Sequence, residues 1–276
     1  MFIIELLKTV LFGIVEGITE WLPISSTGHM ILLNEFLTLD VSPEFWELFE
    51  VVIQLGAILA VIVLFFGKLN PFAPSKTAEE KRGTWRLWFR VIVAVLPSAV
   101  IGFILDDWFN EHFYNYVTVA IALIVYGIAF IVIEKLRAGK SARVERVEDI
   151  TYRDALMVGA FQVLAIVPGT SRSGSTILGG MMFGLSRTAA AEFSFYLAIP
   201  TMAGASLLKG AKFLLGGNSL SGTEWAILLV GCAVAFLTSL LVIRYLMDYV
   251  RRHSFSAFGV YRIILGALVL GYFLMA

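Results

Sequence analysis

Long apolar runs, separated by short polar segments, make up most of this chain. A helix that crosses the hydrocarbon core of a bilayer needs about 20 predominantly apolar residues. Six runs have that length and predict membrane-spanning helices: 48–66, 87–105, 117–134, 193–210, 225–246 and 255–275. The pattern therefore predicts an all-α polytopic membrane protein.

Four further apolar pieces are too short to cross a bilayer alone: 2–15, 30–39, 155–166 and 177–185. They flank two polar segments in pairs, and we call residues 16–29 the first island and residues 168–176 the second island. A short helix, a polar turn and another short helix predict a re-entrant hairpin, which enters and leaves the membrane on one side. Irregular polar backbone at membrane depth is tolerated only where protein or a water-filled cavity surrounds it. The islands are therefore candidates for two halves of one buried site.

Composition agrees with a membrane protein. Hydrophobic residues make up 59% of the chain and charged residues 15%, whereas about a quarter of the residues in globular domains are charged. The formal net charge is zero, so nothing indicates a nucleic-acid partner. The single cysteine, Cys232, cannot form an internal disulfide. Residues 2–15 lack a basic start and a small-residue cleavage pattern, so we expect no cleaved signal peptide.

Basic residues concentrate in three of the segments between the predicted spans. The segments 67–90, 135–153 and 244–254 hold 15 of the 21 Lys and Arg residues. Cytoplasmic loops of membrane proteins carry such an excess. With six spans and two hairpins, all three segments fall on one face. We therefore expect that face to be cytoplasmic and both termini to lie outside.

The two islands also indicate an internal repeat. A shift of 145 residues maps Pro23 onto Pro168, Ser26 onto Ser171 and Glu47 onto Glu192. Each half then contains one re-entrant hairpin and three transmembrane helices. Because three is odd, the second half must be inverted relative to the first, as in transporters whose broken helices meet near the midplane. We expect one membrane domain, 1–276, with repeats at about 1–136 and 150–276 and a cytoplasmic linker at 137–149.

The first island carries two acids followed by hydroxyls and a histidine. Glu16 and Glu20 are four positions apart, so a helix places both carboxylates on one face. They could hold a divalent metal or act as a general acid and base, or merely cap a helix end. Ser25, Ser26, Thr27 and Gly28 follow Pro23 and predict a helix N-terminus, whose free N–H groups bind anions. His29 could act as base, acid or nucleophile, or make a structural hydrogen bond.

The second island offers a phosphate-binding set without a Walker motif. Arg172 presents a fork of N–H donors that matches phosphate oxygens. The alternative is that Arg172 pairs with Glu16 or Glu20 across the repeat interface. Hydroxyls and a glycine that admits close backbone approach surround it, at Thr170, Ser171, Ser173, Gly174 and Thr176. On membrane segments, Gln54 is a further candidate for substrate binding, and Glu50 and Glu192 could equally line the cavity or lie near span ends.

These motifs closely resemble those of a known family. Glu-Gly-x-Thr-Glu-x-Leu-Pro-x-Ser-Ser-Thr-Gly-His at 16–29 and Pro-Gly-x-Ser-Arg-Ser-Gly at 168–174 are similar to the signatures of bacterial undecaprenyl-diphosphate phosphatases of the bacitracin-resistance type. Residues 49–56, 192–195 and 261–262 also look like that family. The resemblance implies hydrolysis of a C55 polyprenyl diphosphate to the monophosphate carrier used in cell-wall synthesis. It also implies a bacterial cell membrane, a site that faces outside, and a divalent cation, Mg²⁺ or Ca²⁺.

Within that activity the residues suggest roles. Arg172 would stabilise charge on the phosphoryl oxygens, and Glu16 and Glu20 would hold the cation. Ser26 or His29 would be the nucleophile, or His29 would activate Ser26 or water. The sequence does not choose between these routes, and it leaves a homodimer open. The rival function is a transporter of lipid carriers or small anions, because inverted repeats with broken helices are typical of transporters.

Overall fold

The computed structural model describes residues 2–113 and 115–275, and within these ranges the chain is helical, with no strand. The α-helices in this part of the chain are α1 (Phe2–Thr19), α2 (Ser26–Phe36), α3 (Pro43–Leu64), α4 (Phe66–Leu69), α5 (Ala78–Phe113), α6 (Tyr116–Arg137), α7 (Tyr152–Val163), α8 (Arg172–Met182), α9 (Arg187–Leu215), α10 (Gly222–Arg252) and α11 (Ser256–Met275). A 3₁₀ turn, Leu164–Ile166, extends α7.

Five helices are long and apolar enough to cross a membrane: Pro43–Leu64, Ala78–Leu105, Tyr116–Arg137, Gly222–Arg252 and Ser256–Leu274. Each overlaps one of five of the six predicted spans, with ends that differ by up to nine residues, so the expectation of an all-α polytopic membrane protein is confirmed. The sixth predicted span, 193–210, lies inside α9 but is not among the five. α9 has 29 residues, which is about 43 Å of helix. It is less apolar than the five because it contains residues such as Pro200, Thr201 and Gly204, which line a cavity.

The four short apolar pieces form two helical hairpins. In the first, Lys8 near the start of α1 donates to the carbonyl of Thr38 just beyond α2 at 2.7 Å, and Glu5 accepts from the backbone N–H of Asp40 at 2.9 Å. In the second, Arg143 pairs with Asp154 at the start of α7 and donates to the carbonyl of Phe183 just beyond α8 at 3.0 Å. In each hairpin, the end of the second helix therefore lies beside the start of the first helix.

Contacts between the two halves are reciprocal. α1 packs against α10 and α7 packs against α5, so each hairpin lies on a long helix of the other half. The approach is close because glycines lie at the contacts. A Cβ on Gly159 of α7 would lie 2.2 Å from the carbonyl oxygen of Ala94, and one on Gly17 of α1 would lie 2.8 Å from that of Ala235. Small residues let helices in membranes approach in this way.

Two ion pairs connect α3 and α9 at opposite ends. The Nζ atom of Lys209, late in α9, lies 2.9 Å from Oε2 of Glu47 at the start of α3. The Nζ atom of Lys68, just after α3, lies 2.6 Å from Oε1 of Glu192 in the second turn of α9. α3 and α9 are therefore antiparallel. The first hairpin opens near the Glu47 end, since Leu39 packs in the same cluster as residues at the start of α3 and the end of α9.

Candidate active site

The two islands form turns that meet in the middle of the molecule. Ser173 at the start of α8 donates through Oγ to the backbone carbonyl of Glu20 at 2.9 Å. Arg262 of α11 donates to the carbonyls of Pro23 at 3.1 Å, Gly169 at 2.8 Å and Thr170 at 3.0 Å. These bonds satisfy carbonyl groups that lie outside any helix and would otherwise be buried without partners.

Each turn ends in a serine that caps the next helix. Ser25 accepts from the N–H of Gly28 at 3.3 Å and Ser171 accepts from the N–H of Gly174 at 3.1 Å. Both cap residues have a positive φ of 74°, a backbone conformation that favours glycine. The structural equivalence thus pairs position 25 with position 171. The shift of 145 had paired Ser26 with Ser171, so the turns are offset from that alignment by one residue.

The carboxylate of Glu20 accepts hydrogen bonds from side chains of both islands. Its Oε2 accepts from the Oγ of Ser26 at 2.6 Å, and its Oε1 accepts from Nη2 of Arg172 at 2.9 Å. Arg172 also donates through Nη1 to the backbone carbonyl of Ser194 at 2.7 Å, and its guanidinium lies 5.8 Å from the ring centre of Trp21. The pairing of Arg172 with an acid of the first island, raised as an alternative by the sequence, is therefore present.

A cavity of about 1000 Å³ opens beside this pair, between the hairpins and helices α3, α5 and α9. The predicted site residues that line it are Glu16, Glu20, Ser26, Thr27, Gln54, Ser171 and Arg172. Glu50 also lines it, whereas Glu192 does not, because its carboxylate binds Lys68 and Tyr196 at one end of the molecule. The cavity wall also contains Ser98, Gln162 and the ion pair of Glu47 with Lys209, none of which was a predicted site residue.

The charges that line the cavity are unequal. Among the described residues, four carboxylates line it (Glu16, Glu20, Glu47 and Glu50) against two cations, Arg172 and Lys209. Each cation already pairs with one carboxylate. A diphosphate that enters this cavity would therefore meet an excess of like charge unless a further cation accompanies it.

A divalent metal fits one of the two predicted ligands better than the other. Glu16 is buried, and its Oε1 has no hydrogen-bond partner within the described residues. Both oxygens of Glu20 are already engaged. In the part of the chain that the structure describes, no three His, Cys, Asp or Glu side chains are arranged to hold a metal ion. Magnesium often takes one or two carboxylates and completes its shell with water and substrate phosphates, so the donor set suits a metal that arrives with a phosphate.

His29 lies apart from the cavity. Its Nδ1 is 2.7 Å from the backbone carbonyl of Ser25 and its Nε2 is 2.6 Å from the hydroxyl of Tyr261. Because a carbonyl only accepts, Nδ1 donates and carries a proton, and in the neutral tautomer Nε2 then accepts from the hydroxyl of Tyr261. The ring borders a second, apolar hollow of about 540 Å³ between the first hairpin and α11. The structure therefore does not bring His29 together with Glu20 and Arg172.

The remaining predicted residues bond to the turns themselves. Ser25 and Gly28 bond to each other, as do Ser171 and Gly174. Thr170 is buried, and Thr176 donates to the carbonyl of Arg172 at 2.9 Å and contacts Ser194 Oγ at 2.7 Å. The proposed contacts of Ser25, Gly28, Thr170, Ser173, Gly174 and Thr176 with substrate stay predictions, and the geometry gives these residues a structural use.

Sequence reasoning assigned no role to Arg262, which binds both turns, or to Ser194, which binds Arg172. The signal for Arg262 was available. An arginine inside an otherwise apolar span of about 20 residues is a functional candidate by default. Ser194 gave no such signal, because a small hydroxyl inside a membrane helix is ordinary and can bond to its own backbone.

Comparison with known proteins identifies the family of this chain. A family described as "Bacitracin resistance protein BacA" matches residues 9–268. A protein named undecaprenyl-diphosphatase from Enterococcus faecalis (strain ATCC 700802 / V583) is 56% identical over 276 residues, which cover 100% of both chains.

Streptococcal proteins of the same name are similarly close. One from Streptococcus thermophilus (strain ATCC BAA-250 / LMG 18311) is 57% identical over 271 residues, 98% of this chain and 94% of the relative. One from Streptococcus pyogenes serotype M3 (strain ATCC BAA-595 / MGAS315) is 57% identical over 272 residues, 99% and 98% of the two chains. Since the family match spans both turns and the relatives align over nearly their whole length, this chain belongs to the bacitracin resistance protein BacA family.

Proposed function

We propose that this protein is a membrane phosphatase that hydrolyses undecaprenyl diphosphate to undecaprenyl phosphate and inorganic phosphate. The product is the lipid carrier of cell-wall synthesis, and its recycling lowers sensitivity to bacitracin. The observation that carries the proposal is the shared cavity in which Glu20 of one turn binds both Ser26 and Arg172. Relatives named undecaprenyl-diphosphatase that are 56–57% identical over nearly the whole chain support the substrate.

The diphosphate occupies the cavity and the polyprenyl tail stays in the lipid. Arg172 binds the terminal phosphate, because its Nε is buried without a partner among the described residues and can donate while the ion pair with Glu20 persists. Arg172 is the first residue of α8, so the dipole of this helix adds to the attraction for an anion. These donors favour the charge that develops on the phosphoryl oxygens during transfer.

Ser26 is the nucleophile in this proposal. Its Oγ donates to Glu20 at 2.6 Å, so the carboxylate is placed to accept the proton as the oxygen attacks phosphorus. The bond from phosphorus to the bridging oxygen breaks, and undecaprenyl phosphate leaves with that oxygen and its electron pair. Glu20 is then protonated and Ser26 carries the phosphoryl group.

Water completes the cycle. It attacks the phosphoserine, its oxygen bonds to phosphorus, and the bond to Ser26 Oγ breaks. The serine oxygen takes back the proton that Glu20 holds, and the phosphate leaves with both protons of the water distributed over it and the solvent. The cavity is large enough, at about 1000 Å³, to admit water beside a bound phosphate.

A divalent cation, Mg²⁺ or Ca²⁺, completes the site in this proposal. Glu16 would hold it through the oxygen that has no hydrogen-bond partner among the described residues, and Glu20, which also lines the cavity, would share the charge. When bound, the ion neutralises the diphosphate and offsets the excess of carboxylates in the cavity. Glu16 thus has a use that does not require it to exchange protons.

His29 acts on the turn rather than on phosphorus. The hydrogen bond from Nδ1 to the carbonyl of Ser25 holds the residue that precedes Ser26, and Tyr261 fixes the ring from α11. In this proposal His29 therefore positions the nucleophile, which corresponds to the structural hydrogen bond among the alternatives that the sequence left open.

We further propose an inverted arrangement of two halves, with the basic loops in the cytoplasm and the cavity and both termini facing outside. The reciprocal packing of α1 on α10 and of α7 on α5 supports inversion. So does the antiparallel course of α3 and α9, tied by Glu47–Lys209 at one end and Lys68–Glu192 at the other. The excess of basic residues near Lys68 supports the cytoplasmic assignment of that end.

The test is phosphate release by the purified protein in detergent, with undecaprenyl diphosphate as substrate. Hydrolysis without a second compartment is expected of a phosphatase, whereas a transporter would leave the diphosphate intact. Glu192→Gln, which alters a buried acid outside the cavity, serves as the matched control for Glu20→Gln. Loss of hydrolysis in Glu20→Gln alone supports the assigned site, and full activity in Glu20→Gln would show that the site is wrong.

A further inference from the structure

Arg262 takes no part in the proposed chemistry, yet its side chain is fully buried in the protein. A buried charge is unfavourable unless partners compensate it. Within residues 2–113 and 115–275, the hydrogen-bond partners of Arg262 are backbone carbonyl oxygens, and its guanidinium also lies 5.4 Å from the ring centre of Tyr126. None of these partners carries a negative charge that would neutralise the guanidinium. The contacts depend instead on the directions of its N–H donors.

The carbonyls that Arg262 binds come from both turns. Nη1 donates to Pro23, two residues before the cap Ser25, at 3.1 Å. Nη2 donates to Gly169 at 2.8 Å and to Thr170, directly before the cap Ser171, at 3.0 Å. A guanidinium is planar and its N–H groups have fixed directions. One rigid group thus sets the distance and the angle between the two turns.

α11 can deliver this group because it lies very close to α6. A Cβ on Gly127 of α6 would lie 2.6 Å from the carbonyl oxygen of Gly259, and 3.2 Å from Cβ of Arg262. A Cβ on Gly174 would lie 3.1 Å from Nη1 of Arg262. Glycine at these positions leaves the room that the arginine fills.

We propose that Arg262 is a positioning residue for the reaction: it holds the two turns in the register at which Ser26, Glu20 and Arg172 align. The inference rests on the proposed phosphatase function. Ser26 and Glu20 are in contact within the first turn, at 2.6 Å, whereas Arg172 belongs to the second turn. The contact of 2.9 Å between Glu20 and Arg172 therefore exists only while the turns keep their relative position. Arg262 contacts both turns but lies behind them, because it does not line the cavity.

The cap residues give a second reason for such a clamp. Ser25 and Ser171 hold φ of 74°, and non-glycine residues in this region persist only where the surroundings over-determine them. Arg262 binds the backbone within two residues of both. Loss of its fork would let the turns relax toward ordinary backbone conformations and would separate Ser26 from Arg172.

The experiment compares Arg262→Lys with the wild type in the detergent assay with undecaprenyl diphosphate. Lysine keeps the charge but cannot hold three carbonyls in one plane. Because a misplacement of the reacting groups by about 1 Å can lower a rate about 100-fold, we expect kcat to fall by about that factor. We expect KM to change by less than about threefold, because Arg172 still binds the phosphate. In a double variant with Arg172→Lys, the two losses should not multiply, since both act through one alignment.

Arg187→Lys is the matched control. Arg187 also ties segments together, through Glu134 at 2.8 Å, but at the start of α9 and away from the cavity. It should lower the thermal unfolding midpoint and keep kcat within about twofold of the wild type. If Arg262→Lys is not recovered folded, Arg262→Gln takes its place, since its amide has two donors.

Three outcomes decide the matter. A selective fall in kcat for Arg262→Lys, with KM retained and with effects that do not multiply with those of Arg172→Lys, supports the proposal. A kcat within about twofold of the wild type, or failure of both Arg262 variants to fold, overturns it and leaves Arg262 as a structural residue. Absence of hydrolysis in the wild type would instead refute the phosphatase function on which the inference rests.

Discussion

Glu20 and Arg172 form an ion pair with 2.9 Å between Oε1 and Nη2, although 152 positions separate them in the sequence. Both side chains are nearly buried, with 5% and 11% of their surface exposed. The pair joins the two turns and lies on the wall of the cavity, so any phosphate that reaches Arg172 also meets Glu20. In the proposed function, substrate binding and the link between the turns therefore depend on one another.

Replacement of Arg172 by lysine should separate charge from geometry. Arg172→Lys keeps a cation but loses the planar fork that binds Glu20 and Ser194 and that, in the proposed function, binds the phosphate. We expect kcat/KM with undecaprenyl diphosphate to fall by about 100-fold or more. Arg251→Lys, on an exposed turn at the end of α10, is the matched control and should leave kcat/KM unchanged. Equal activity in the two variants would contradict the role of Arg172.

Ser26 and His29 should differ when each is changed. Ser26→Ala removes the proposed nucleophile and should abolish trapping of a phosphoryl group on the enzyme. His29→Gln keeps a donor near the carbonyl of Ser25 and should retain part of the activity, because His29 does not line the cavity. The measurement is phosphate release together with digestion and mapping of labelled protein. Label on His29, or turnover in Ser26→Ala close to that of the wild type, would refute the assignment.

Glu16 should set the requirement for metal. In Glu16→Gln the oxygen that lacks a partner remains, but the negative charge is gone, so the site should bind a divalent cation more weakly. We expect the Mg²⁺ concentration for half-maximal hydrolysis to rise by about tenfold or more. Glu192→Gln, an acid of similar burial outside the cavity, should show the wild-type dependence. Full activity of the wild type after treatment with a chelator would rule out the metal.

The close contact of α7 with α5 should be sensitive to one methyl group. In Gly159→Ala the new Cβ would lie 2.2 Å from the carbonyl oxygen of Ala94, so the hairpin must move off α5. Such overpacking typically lowers the free energy of unfolding by about 1–3 kcal/mol. Gly210→Ala in α9 meets nothing within 4 Å and should be neutral or slightly stabilising. Thermal unfolding in detergent measures both, and equal midpoints would contradict the packing.

Much of the fold follows from the sequence because the bilayer allows few solutions. Five spans and two hairpins could be predicted from run lengths, and the pairing of polar segments was correct. The run 193–210 was predicted as a sixth span, but it is not among the five, because residues such as Thr201, which line the cavity, reduce the apolar character of α9. The sequence pattern cannot show which face of a helix borders a cavity.

The site was predicted unevenly for a physical reason. Residue type and spacing suffice to select Glu20, Ser26 and Arg172 as candidates, and the structure brings these three side chains together at one cavity. Whether a side chain reaches the cavity depends on the rotation of each short helix after its turn. His29 lies one turn from Ser25 along α2, and that rotation directs it to Tyr261 instead of to Glu20. Likewise the contacts of Arg262 with both turns depend on the close approach of α11 to α6, which no local pattern encodes.

The unusual φ of the two cap serines limits how this protein can be made more robust. Glycine at position 171 would relieve a strain of about 1–3 kcal/mol, and a screen for heat resistance would favour it. The same change would remove the Oγ that caps α8 and would loosen the backbone just before Arg172. Tolerance to heat and turnover therefore trade against each other at positions 25 and 171, and thermostable variants are best sought far from both turns.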